Sequence, residues 1–148
     1  PIPEEDRATF EGLSYFPENE ALDLILEIDL FPTQETIEMK TSTGDDATFR
    51  RYGQIHFPVE GEMQTLTVYE SPEQMELFLP FADATSGKES YGGGRYLDIQ
   101  PLGGGKFQVD FNQAYNPFCA YSDDWSCPIP PAENRLSAGI RAGEMKYK

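Results

Sequence analysis

Histidine, tryptophan and cysteine are nearly absent from this chain: His56, Trp125, Cys119 and Cys127 are all that 148 residues contain. A single histidine would have to serve every proton-relay scheme, so no Ser-His-Asp order can be built with it. Two cysteines provide no disulfide framework of the kind small secreted domains depend on. Lysine is scarce as well, and without a basic patch the chain is a poor partner for nucleic acid or anionic lipid. No run approaches the ~20 apolar residues of a membrane span, and no signal peptide is visible. The cytoplasm is therefore the expected compartment.

What the chain has in excess is acid. It carries 26 Asp and Glu against 11 Lys and Arg, a formal net charge of −15. The acids are spread along the sequence and do not form a tail, which suits the hydrated surface of a halophilic protein. Molar salt shortens the Debye length to about 3 Å and removes most of the self-repulsion. The excess is uneven. Residues 1–50 hold 13 acids and 3 bases, residues 51–100 hold 8 and 3, and residues 101–148 hold 5 of each. The last third thus behaves as though less of it faces water.

Length alone predicts one domain over residues 1–148. Residues 1–20, rich in Pro and Glu, read as an irregular lead-in, and residues 21–111 as a β scaffold. Leu22, Leu24, Leu26, Ile28 and Leu30 alternate with mostly polar neighbours, the period of a strand with one buried face. Further strands are expected around Ile37–Met39, over residues 47–59 and 63–70, and at Leu77–Phe81. A last hairpin is expected to join Leu97–Ile99 to Phe107–Phe111 through a turn at Pro101 to Lys106. Ser71-Pro72-Glu73 reads as a short helical turn. Residues 112–131, with four prolines and no period, read as a long ordered loop. In the C-terminal segment 132–148, only Ala132–Gly143 offers a helix of any length. Short strands joined by turns predict a mainly β fold, a single antiparallel barrel or compact sandwich with little helix.

The residues able to carry chemistry gather between Phe81 and Arg141. Gly92-Gly93-Gly94-Arg95 offers backbone N–H groups and a guanidinium to an anion. Parity puts Arg95 on the inward face with Leu97, where it needs Asp83, Asp110 or a ligand as partner. Asp110 and Asn112 share a face and would orient a water or a ligand hydroxyl, or else pin the following loop. Asn116 and Asn134 read first as loop pins, and Asp123-Asp124 as solvated. For Cys119 and Cys127 the readings are buried structural thiols, a local disulfide or redox pair, a catalytic Cys119, and a metal site. Buried thiols lead, and no metal-ligand spacing is present. Tyr91, Tyr115, Tyr121 and Trp125 supply aromatic walls.

Several runs here are similar to the family called domain of unknown function 1684, known in haloarchaea and bacteria. They are Phe78-Leu79-Pro80-Phe81, Asp83-Ala84-Thr85-Ser86-Gly87, Tyr91 to Leu97, and Asp110-Phe111-Asn112 through Asn134-Arg135-Leu136. The resemblance spans Leu13-Ser14-Tyr15-Phe16-Pro17 to Ala142-Gly143-Glu144. It implies that relatives carry an additional N-terminal segment, and it implies no reaction. The sequence reading is therefore a domain binding a small anionic ligand near Arg95 and the 110–135 loop. Its candidate ligand residues are Tyr91, Arg95, Asp110, Asn112, Tyr115, Asn116, Cys119, Tyr121 and Asn134. A flavin is a narrower version by fold analogy. The alternatives are a hydrolase or transferase using Asp110 or Cys119, and a structural or interaction module. Oligomeric state is not legible.

Overall fold

A computed structural model describes residues 14–73, 75–121 and 126–146. Nine strands make two antiparallel sheets. The larger is built on β4 (Asp46–Val59) and contains β2 (Asp29–Leu30), β3 (Thr36–Lys40), β5 (Glu62–Glu70), β6 (Leu77–Phe81) and β7 (Arg95–Asp98). The smaller has the order β1-β9-β8, with β1 at Asp23–Leu26, β8 at Gln100–Gly103 and β9 at Lys106–Asp110. The mainly β expectation holds, but the sheets do not close into a barrel.

Both sheets pack on one core. Ile55, Phe57, Leu66, Val68, Leu79, Phe81 and Val109 are all fully buried, each contributing roughly 1.5–3 kcal/mol by leaving water. Phe111 completes it, its ring 5.0 Å from Phe57 and 5.4 Å from Phe81. The alternation read in residues 47–59 is therefore real.

Two strands change sheets. The run expected as one strand over residues 22–30 is split: β1 pairs with β9 and β2 with β4. Leu24 and Leu26 stay half-buried, while Leu30 is exposed because it lies at the other sheet's edge. Likewise β7 pairs with β6, and after Ile99 the chain continues as β8, which pairs with β9. The expected last hairpin is therefore β8–β9, not β7–β9. Strands that turn a corner in this way are how two crossed sheets share a core without closing. Gly53 permits one crossing, since a Cβ there would lie 2.6 Å from the Asp29 carbonyl oxygen.

The expected helix over residues 132–143 does not form. A 3-10 turn at Ala132–Asn134 is followed by extended chain. Pro130 and Pro131 delay any start, and Gly139 and Gly143 weaken continuation. Among the described residues there is no α-helix and none long and apolar enough to cross a membrane.

Candidate functional site

Arg95, at the start of β7, is wholly buried. Its Nη2 donates to Asp83 Oδ2 at 3.0 Å and to the Ile140 carbonyl at 2.8 Å. Its Nη1 donates to the carbonyls of Ala142 at 2.5 Å and Glu144 at 3.3 Å. The rings of Phe81 and Phe16 lie 5.1 and 5.7 Å from its guanidinium carbon. Burial lowers the guanidinium's pKa, and the Asp83 carboxylate opposes that shift. Asp83 in turn accepts from Thr85 and from the Ile140 N–H, the latter at 2.7 Å. The internal partner foreseen for a buried Arg is therefore Asp83. The anion grip expected of Arg95 is not available, because the extended segment 140–144 occupies its donors. Nor do the glycines form an open cradle. Gly94 has φ +88°, and a Cβ there would sit 2.6 Å from the Phe81 carbonyl oxygen and 2.8 Å from Pro130. That glycine serves close packing. Tyr91, half-exposed, accepts the Gly94 N–H on its own carbonyl.

Several polar residues at 110–121 bond inward. Asp110 caps the 3-10 turn Phe111–Gln113, its Oδ1 accepting the Asn112 N–H at 3.0 Å and Asn112 Nδ2 at 2.9 Å. Asn112 also exchanges two hydrogen bonds with the backbone of Asn19. Asn116 is nearly buried. Its N–H donates to Glu144 Oε1 at 2.8 Å and its Nδ2 to the Met145 carbonyl, while its Oδ1 has no partner among the described residues. Tyr121 donates to the other oxygen of Glu144. Burial raises the pKa of Glu144, against the pull of the Asn116 N–H and Arg95. Cys119 and Cys127 form a disulfide with Cα atoms 6.3 Å apart. This replaces the leading expectation of buried free thiols, and Cys119 in this form is not a thiolate nucleophile. Ser122 and Trp125 lie outside the described residues.

Asn134 is fully buried and fills a gap in the larger sheet. Its side-chain amide accepts from Thr67 N and donates to the carbonyls of Thr67 and Pro80, each at 2.8 Å. Pro80 has no N–H to offer β5, so the amide supplies the missing ladder partner. Its neighbour Glu133 belongs to a cluster that the sequence reading missed. Arg51 Nη2 donates to Glu133 at 2.7 Å, and buried Tyr69 donates to the same carboxylate. Although burial opposes it, Arg51 and Tyr69 hold Glu133 below the usual carboxylate range. Alternation with inward Leu66 and Val68 puts Tyr69 on the opposite face of its strand and gives no hint of a carboxylate reaching it from residue 133. His56 is on the outer face, bonded to Thr65 and 3.7 Å from Asp29. Among the described residues no group of His, Cys, Asp and Glu could hold a metal ion.

Open space lies elsewhere, where the two sheets part at Asp98-Ile99-Gln100. On one side a cleft of about 540 Å³ has Tyr52, Leu77, Ile99 and Phe107 among its walls, with Glu76 and Asp98 at its edge. On the other a cleft of about 430 Å³ lies over the outer face of the small sheet, bordered by Gln100, Gln108, Asp110, Gln113 and Tyr115. Asp98 and Gln100 belong to both. Tyr115 donates to Asp98 Oδ1 at 3.2 Å. Burial raises the pKa of its phenol, and the Asp98 and Glu76 carboxylates add to that rise. Of the nine expected ligand residues, Asp110 and Tyr115 border the second of these clefts. Asp98 and Gln100 escaped notice because exposed positions on short strands look like ordinary solvent-facing residues, and Leu77 because it shares the inward parity of Leu79 and Phe81.

Residues 8–145 match the family described as Protein of unknown function (DUF1684). The solution NMR structure of an uncharacterized protein from Haloarcula marismortui is similar, at 38% identity and a TM-score of 0.76. That likeness covers 97% of this chain and 81% of the other. No curated protein matches.

Proposed function

The chain belongs to the family described as Protein of unknown function (DUF1684), and within it we propose a small-molecule-binding domain whose site is the open seam between the two sheets. One observation carries this reading: the cleft of about 540 Å³ at the point where the sheets part, whose lining mixes Leu77, Ile99, Pro101 and Phe107 with Glu70, Glu76, Asp98 and Gln100. Its size falls in the roughly 300–1,000 Å³ range of small-molecule sites, and apolar walls with a few polar groups are their usual lining. The site keeps Asp110 and Tyr115 from the sequence reading and moves away from Arg95. An anionic ligand loses its support with that move, as does a flavin, whose phosphate would need a free cation. The enzyme alternative is also weakened, since Asp110 is engaged with Asn112 and the Cys119 sulfur with Cys127. Cytoplasmic location and adaptation to molar salt rest on composition alone and stay proposals.

A second reading has its own support. Arg95, Asn112 and Asn134 spend their hydrogen bonds inside the fold, as in a module whose loop only closes the structure. A thermal-shift screen in molar KCl against amines, sugars, nucleotides and carboxylic acids separates the two. The binding reading expects at least one compound to raise Tm. Leu77→Trp, at a half-buried wall of the cleft, should then abolish that rise while leaving the unliganded Tm within a few degrees. A screen without hits, or a hit that survives Leu77→Trp, favours the closing module.

A further inference from the structure

The seam's charge and its floor point to one ligand class. No described Lys or Arg lines either cleft. The nearest guanidinium, Arg50, is bound to Glu70, with Nη2 2.9 Å from Oε1. That pair is balanced. Glu76 and Asp98 are not, since neither makes an ion pair with a described residue; Asp98 has only the Tyr115 hydroxyl. Elsewhere on the surface Glu27 pairs with Lys106 and Asp46 with Lys40. Glu76 and Asp98 stand at the lip of an apolar floor formed by Leu77, Ile99 and Phe107.

An apolar ligand covering that floor would take water from both carboxylates. Removing water from a charge is costly unless a partner of opposite charge arrives with the ligand. A neutral ligand leaves the cost standing, and an anion adds repulsion. A primary ammonium brings three N–H donors to carboxylates that accept only. Gln100, at the junction of the two clefts, offers a further carbonyl acceptor. We propose that the seam takes a primary amine with an apolar arm, the ammonium at Asp98 and Glu76 and the arm on Leu77, Ile99 and Phe107. Molar salt would screen any long-range steering, so the preference must come from contact inside the cleft. It would therefore persist in molar salt.

The inference rests on the seam being the binding site, and three probes with one arm keep the two claims apart. Phenethylamine, 2-phenylethanol and 3-phenylpropionate carry a cation, a neutral hydroxyl and an anion on the same aromatic arm. Each would be titrated into the full chain in molar KCl, with amide chemical shifts locating the site and giving Kd. Phenethylamine should shift the amides of Leu77, Ile99 and Gln100 and bind at least about ten-fold tighter than the other two. The double variant Glu76→Gln, Asp98→Asn should erase that margin by weakening phenethylamine, while 2-phenylethanol binds no more weakly than before, because the cost of dehydrating two carboxylates is gone. Equal or tighter binding of 3-phenylpropionate at the same amides overturns the amine assignment and leaves the seam intact. Shifts confined to other regions, or no shifts with any probe, overturn both.

Discussion

Arg95 has four acceptors around it, and three of them are backbone carbonyls of residues 140–144. Removing the side chain leaves Asp83 charged and buried with no cation, a loss of about 3–5 kcal/mol for a broken buried pair. Arg95→Ala should therefore lower the denaturation free energy in molar KCl by that amount, read from urea or guanidinium midpoints. A loss below about 1 kcal/mol would mean that Asp83 finds other company and that the pair is not structural. Strand parity was enough to place Arg95 inside and to put Asp83 among its partners. It was not enough to choose Asp83 over a ligand, because the competing acceptors are carbonyls, identical at every position of the sequence. Asn134 and Asn112 were opaque for the same reason: their partners are the backbones of Thr67, Pro80 and Asn19.

At the level of elements, the described part of the loop from Cys127 on is pinned to a neighbouring strand end. The segment 127–129 pairs with residues 40–42: Ile129 N–H donates to the Lys40 carbonyl at 2.8 Å and Ser42 N–H to the Cys127 carbonyl at 2.9 Å. Tyr96 adds a bond from its hydroxyl to the Pro128 carbonyl. The disulfide closes the loop beside this pairing. Loop-closure entropy for so short a ring is worth about 2–3 kcal/mol. Replacing both Cys119 and Cys127 by Ser should cost that much. The loss should appear as faster hydrogen exchange at the Ser42 and Ile129 amides, with the amides of β5 unaffected. Uniform acceleration across β5 would show instead that the loop and the sheet open together. Strand existence was legible because alternation survives wherever one face is buried. The split of residues 22–30 and the β8–β9 pairing were not, since the choice between two sheets is made by neighbours far along the chain. The absent helix at 132–143 had visible warnings in its prolines and glycines. What holds the segment extended instead, the Arg95 donors and a bond from Glu144 N–H to the Ala114 carbonyl, was invisible.

For the molecule as a whole, the formal charge of −15 is carried mostly by the first two thirds. The balanced last third supplies the buried strip Ile140, Ala142 and Glu144, which agrees with its expected retreat from solvent. Screening shortens the Debye length from about 10 Å at 0.1 M salt to about 3 Å at 1 M. Tm should accordingly rise steadily over that range, to a similar degree with KCl and NaCl, while an uncharged osmolyte of equal osmolality gives a smaller rise. A flat Tm would detach the acidic surface from any role in salt tolerance.

The pairing of β1 with β9 has a consequence in time. Leu24 faces Val109 and Leu26 faces Phe107, so the small sheet joins an early strand to one far later in the sequence. Contacts between residues so far apart are slow to form, because loop closure must precede their reward. During synthesis the larger sheet has all its strands once Asp98 has emerged, whereas β1 must wait for residues 107–110. One wall of the seam is therefore assembled after the strands of the larger sheet, and a nascent chain stopped short of Asp110 would have that scaffold without the proposed binding site.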